Sequence, residues 1–105
     1  MALALDPLIH QPVRLRIMTV LHALGPEQEV EFTTLRDMLG VTDGNLGSHL
    51  RKLEEAGYVR THKTFVLRRP RTYIAVTGLG LNAYQTYLMA LERLLRPPEP
   101  RPTAP

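Results

Sequence analysis

The stretch Val41-Thr-Asp-Gly-Asn-Leu-Gly-Ser-His-Leu-Arg-Lys-Leu-Glu-Glu-Ala-Gly-Tyr-Val59 decides the fold. Thr42 is placed to cap a helix with its hydroxyl, and Asp43 then lies at the positive end of the helix dipole. Leu46, Leu50 and Leu53 recur at i, i+4 and i+7, which makes one buried stripe. Ala56 can close that stripe, and Gly57 suits a left-handed residue just past the last turn. Away from the stripe lie Gly44, Asn45, Ser48, His49 and Lys52, a small and hydrogen-bonding surface. A helix anchored by one face and polar on the other has what it needs to enter the major groove of DNA.

The segment that follows carries the matching charge. Residues 57–77 hold Arg60, Lys63, Arg68, Arg69 and Arg71 and no acid, a net of +5, whereas residues 25–42 have a net of −3. The overall charge of +3 is modest, so its placement matters more than its sum. Tyr58 to Phe65 and Arg71 to Val76 read as two strands, with Val66 to Pro70 as the hairpin tip and Pro70 at its edge.

Working toward the N-terminus, Gly40 closes a short helix that Thr33 or Thr34 would cap, with Leu35, Met38 and Leu39 turned inward. Glu29 to Phe32 alternates like a short strand. Val13, Ile17, Val20, Leu21 and Leu24 keep helical spacing, and Gly25-Pro26 stops the run. Leu8 and Ile9 share that spacing, but Pro12 interrupts it, which places the first helix at about 12–24. Toward the C-terminus, Thr77 caps a last helix with Leu81, Tyr84, Leu88, Leu91 and Leu95 on one face. The order is helix, short strand, helix, helix, two-stranded wing and C-terminal helix. That is an α+β, mainly α, winged helix-turn-helix. Residues 1–6 form an expected N-terminal arm and 7–95 the domain. Residues 96–105 form a tail expected to be disordered, since five of the nine residues from Pro97 onward are proline.

Each part of this arrangement has a chemistry to offer double-stranded DNA. On the third helix, Asn45 can pair bidentately with adenine, Ser48 can donate or accept, and Lys52 can reach guanine or a phosphate. His49 can donate from one ring nitrogen. Gly44 would allow close backbone approach to DNA and Gly47 tight helix packing. In the wing, Lys63, Arg68, Arg69 and Arg71 suit phosphates or a narrow minor groove, with Thr61 and Thr64 as hydrogen-bonding neighbours. The last helix is apolar over a wider arc than one small domain needs. It is therefore expected to bury a second face against the first helix of another copy, through Leu8, Ile9, Leu81, Tyr84, Tyr87, Leu88, Leu91 and Leu95.

Other functions find little support. The chain has no cysteine, so thiol redox chemistry and cysteine-based zinc sites are out. Its four histidines, His10, His22, His49 and His62, show no metal-ligand spacing, and no metal or cofactor is expected. No phosphate-binding glycine loop is complete, and Ser48, the only serine, lacks the partners of a nucleophile, so no enzyme is expected. There is no signal peptide and no membrane-spanning run, which points to a cytoplasmic protein. The residues name no small-molecule effector. Any such ligand would bind at the dimer interface or between core and wing. A second reading uses the same fold as a protein-interaction module whose last helix docks a partner, but the polar and basic third helix favours DNA.

Leu46-x-x-His49-Leu50-x-x-Leu53-Glu54-x-Ala56-Gly57-Tyr58-Val59 resembles the recognition-helix signature of bacterial MarR/ArsR-type winged-helix transcription regulators. The continuation Lys63 to Thr72, then Val76-Thr77-Gly78-Leu79-Gly80, is similar to a compact single-domain subgroup, and the resemblance covers about residues 7–95. It implies a homodimeric regulator on a palindromic operator, with one recognition helix in each major groove, flanking wings, and dimerisation through the first and last helices; a repressor is the role expected of such a protein. Two departures stand out. Gly47 replaces a serine found in some relatives, and the cysteines common in ArsR-type metal sensing are absent.

Overall fold

A computed structural model describes residues 4–101, and its elements follow the expected order. The first helix, α1, runs Pro12–Leu24, with Gln11 as its cap: the Gln11 side chain accepts from the Arg14 backbone at 2.8 Å. Pro12 occupies the first turn, where its missing N–H costs nothing because that turn has no acceptor for it. The upstream pattern is a separate turn. Asp6 caps it through Oδ1 to the Leu8 N–H at 2.9 Å and through its carbonyl to the His10 N–H at 2.8 Å, and it buries Ile9 completely. Residues 1–3 of the expected arm lie outside the described residues. Residues 97–101 form neither helix nor strand, and 102–105 of the tail lie outside the described residues.

Strand β1 is only Val30–Glu31, and helix α2, Phe32–Leu39, follows without a loop. Glu31 therefore takes the cap position expected of Thr33 or Thr34. Thr33 instead donates to the Glu31 carboxylate at 2.8 Å. Leu35 and Leu39 are buried as expected, but Met38 is 55% exposed, because eight residues of helix present only one narrow stripe to the core.

Helix α3, Asp43–Glu55, has the expected ends. Thr42 accepts from the Asn45 N–H at 3.1 Å. At its C-terminus, the Gly57 N–H reaches the Glu54 carbonyl and the Tyr58 N–H reaches the Leu53 carbonyl, both at 2.9 Å. This paired closure needs a left-handed residue, and Gly57 supplies it at φ 80°. Leu46 and Leu53 are fully buried and Leu50 nearly so. Such burial contributes about 1.5–3 kcal/mol per side chain.

Strands β2, Val59–Val66, and β3, Arg69–Val76, form the wing, and the antiparallel sheet has the order β1-β3-β2. Strand β2 is shifted by one residue from the expected span, β3 starts two residues earlier, and the tip is shorter. It is the two-residue loop Leu67-Arg68, both in the left-handed region at φ 52° and 66°. That geometry matches the twist of a hairpin, yet neither residue is the glycine or asparagine that adopts it freely. The strain is about 1–2 kcal/mol per residue. Pro70 lies inside β3 opposite Phe65, not at the tip's edge. It is tolerated because β1 pairs only with Tyr73 and Ile74, so β3 is a free edge at that level.

Helix α4, Gly78–Leu95, is capped by Thr77, whose hydroxyl accepts from the Gly80 N–H at 3.0 Å and donates to the Gly57 carbonyl. Tyr84, Tyr87 and Ala90 are buried, and α4 packs against α1. No helix among the described residues is long and apolar enough to cross a membrane.

Candidate nucleic-acid interface

The leucine stripe fixes which side of α3 is free. Gly44, Asn45, Ser48 and Lys52 are exposed, as the sequence predicts. Arg51, absent from the expected set, is exposed with them. It lies about 140° around the helix from Leu46, well clear of the stripe, so helical geometry alone could have found it. A cleft lined by Gly47, Arg51, Glu54, Thr61, Lys63 and Thr72 runs between α3 and the wing. Gly47 does not serve tight packing: beyond its own helix turn, nothing among the described residues lies within 4 Å of where its Cβ would be. Gly44 is equally open.

His49 differs from the other α3 candidates. It is half-buried, and its Nδ1 lies 3.0 Å from the Arg14 guanidinium. Arg14 can only donate, so Nδ1 accepts, which leaves the proton on Nε2. Desolvation, then the charges of Arg14 and Lys52, hold the imidazole below its ordinary value of 6.5. Arg14 also donates to the Leu8 carbonyl, so one side chain joins the N-terminal turn, α1 and α3. Its cationic role beside α3 is invisible in the sequence, since 35 residues separate it from His49.

This pair has a consequence for pH. Because the folded state depresses the His49 pKa, the unfolded chain takes up the proton first as pH falls. Stability from this site is complete above 6.5 and is lost as pH drops through that value toward the folded midpoint. An imidazole titration followed by NMR is expected to place the His49 midpoint below 6.5, and Arg14→Gln to raise it. An unmoved midpoint in that variant would remove Arg14 as a cause.

The wing is tied to the core by its own side chains. Glu54 accepts from the Thr61 N–H at 3.0 Å and from its hydroxyl at 2.7 Å, bracing β2 against α3. Thr61 is thus occupied, not free for phosphate, and Glu54 holds the angle between helix and wing. At the other end of α3, Arg36 bridges α2 to Asp43 at 2.8 Å. Asp43 therefore ties the start of α3 to α2.

Lys63, Arg68 and Arg69 are exposed, and no acidic side chain among the described residues pairs with them. Thr64 is half-buried. Arg71 departs from the expectation. It pairs with Glu31 at 2.7 Å, and Thr33 and then Arg71 hold that carboxyl below the ordinary carboxylate range. Strand alternation puts Arg71 beside Thr64 on one sheet face, while Lys63 and Thr72 occupy the other. Arg71 therefore braces the wing to β1, and the wing cations without an acidic partner among the described residues are Arg60, Lys63, Arg68 and Arg69.

The apolar set on the terminal segments also divides. Ile9, Tyr84 and Tyr87 are buried within the chain, so they belong to its core rather than to a free interface. The Tyr87 hydroxyl is 2.9 Å from His10 and that of Tyr84 is 2.9 Å from Thr19, which satisfies their polar ends. Leu8, Leu81 and Leu91 are half-buried. Leu88 remains 39% and Leu95 73% exposed, and Leu79, Met89 and Leu94 are also exposed.

The profile of a family described as winged helix DNA-binding domain matches residues 13–95. An uncharacterized protein of Methanocaldococcus jannaschii is 39% identical over 82 residues, covering 78% of this chain and 86% of that one. Among solved structures, the transcriptional regulator homologue protein of Pyrococcus horikoshii is 34% identical, with a TM-score of 0.75 over 84% of each chain. The zinc-responsive MarR family member of Lactococcus lactis, 14% identical, shares the fold with a TM-score of 0.57 over 79% of this chain and 54% of its own.

Proposed function

The chain belongs to the winged helix DNA-binding domain family, and from that premise we propose that it is a transcription regulator, a repressor, acting as a homodimer on a palindromic operator. Helix α3 enters the major groove, with Asn45, Ser48, Arg51 and Lys52 at base edges or phosphates and His49 donating from Nε2. Lys63, Arg68 and Arg69 hold the flanking backbone. The observation that carries this reading is a polar helix face with no internal duty, set beside a hairpin whose free cations meet no acid. Polyanionic DNA answers both features at once.

The dimer rests on helix length. At about 1.5 Å per residue, α4 is roughly 27 Å long, while α1 spans roughly 20 Å, so the end of α4 outruns its partner in the chain. Leu81, Leu88 and Leu95 repeat every seven residues along one flank, and exposure grows toward the end. That is the spacing of a seam between two helices.

Selection of bound sequences from a random duplex pool tests both parts. An inverted repeat with half-sites roughly one helical turn apart is expected. Leu88→Glu with Leu95→Glu is expected to sediment as a folded monomer and to lose preference for the repeat over a single half-site. Recovery of asymmetric sites, or a double variant that stays dimeric, would sink the dimer reading.

A further inference from the structure

The hairpin tip combines two costs that the fold does not need. Leu67 is 92% exposed and Phe65 74% exposed, and Leu67 holds the left-handed backbone at φ 52°. Asparagine or glycine at this loop position would relieve the backbone and remove apolar surface from water. The hairpin projects four residue pairs past the last one bonded to β1, about 13 Å at the usual rise per residue, so nothing else among the described residues shields the tip. Backbone strain retained at an exposed apolar residue points to contact outside the molecule.

The surroundings select the occupant. Arg68 and Arg69 adjoin Leu67, Lys63 lies two residues before Phe65, and residues 57–77 contain no acid. A partner must therefore offer an apolar floor between two rows of negative charge. The minor groove of duplex DNA does so, with sugar carbons and base edges between phosphates. At roughly 6 Å wide it admits a side chain and not a strand pair. A two-residue turn is the narrowest end a hairpin has.

Resting on the regulator reading above, we infer that the wing tip is an apolar wedge: Leu67, backed by Phe65, enters the minor groove while Arg68 and Arg69 take the phosphates on either side. Side chains of this kind partly unstack base steps, most easily at pyrimidine–purine steps. The tip thereby favours sites carrying such a step where the wing lands, which is selectivity without a base hydrogen bond.

Leu67→Asn separates the wedge from folding and from charge. The substitution suits the loop, so the thermal midpoint is expected to hold or rise. Affinity for the duplex recovered by selection is expected to fall about tenfold or more, from the lost burial of a leucine in each wing. The slope of log affinity against log salt is expected to stay unchanged, since no phosphate contact is removed. Affinity within about twofold of the parent, or a reduced slope, overturns the wedge. Absence of DNA binding by the unaltered protein would overturn the regulator reading with it, whereas a binding parent and an unaffected variant overturn the wedge alone.

Discussion

Gly80→Ala is expected to be among the most damaging single substitutions in this chain, lowering stability by about 3 kcal/mol or more. A Cβ at Gly80 would lie 2.0 Å from the Tyr58 carbonyl oxygen, 2.9 Å from its carbonyl carbon and 3.0 Å from Val76. The first two atoms are backbone, held in place because the Tyr58 carbonyl accepts from the Thr77 N–H at 3.1 Å. No rotamer change can relieve the clash. Helix α4 must lift off, and with it go the Thr77 cap and the packing of Tyr84 and Tyr87. For a domain of this size, the thermal midpoint should fall by about 15 °C. Gly78→Ala supplies the control. It lies in the same helix turn with nothing within 4 Å of its Cβ, so the better helix propensity of alanine should leave stability equal or improved. Equal melting of the two variants would show that the close approach at Tyr58 is not what demands glycine.

Arg68→Gln with Arg69→Gln carries the largest expected effect on DNA binding. Each neutralised phosphate contact lowers the salt slope by about 0.9, and a dimer bears two wings, so the slope should drop by roughly three to four. Affinity at low salt should fall on the order of a hundredfold, with a smaller loss at high salt, where each released counterion gains less entropy. Both arginines are exposed and make no ion pair among the described residues, so folding should be untouched. Arg71→Gln is the contrasting case. Its charge is matched by Glu31, and its removal should loosen the wing from β1 while moving the slope little. Gel-shift titrations across a salt series distinguish them. A double variant with the parental slope would mean that the wing tip does not meet phosphate.

Much of the fold was legible because the forces that set it act over a turn of helix. The caps at Thr42 and Thr77, the left-handed Gly57, the extent of α1 and the stripe Leu46, Leu50 and Leu53 all depend on neighbours within a few residues. The start of α2 is not legible in this way, because β1 donates its last residue as the cap, and that strand exists only through pairing with Tyr73 and Ile74. The sequence implies a longer wing tip, because proline usually ends a strand. Here the shortness of β1 leaves Pro70 a free edge.

The candidate site divides along the same line. By itself the sequence determined the winged-helix order, the polar face of α3 and the acid-free charge of the wing, since composition and helical period need no partner. Only the tertiary structure decided which groups remain available. It joined Arg71 to Glu31 across 40 residues, His49 to Arg14 across 35, and Tyr87 to His10 across 77. It thereby removed Arg71 from the free cations and fixed the proton of His49. It also took Ile9, Tyr84 and Tyr87 into the core and left Leu88, Leu95 and Leu67 in water. Charge pairing and burial are set by what arrives from distant sequence, and periodicity cannot see which groups will meet.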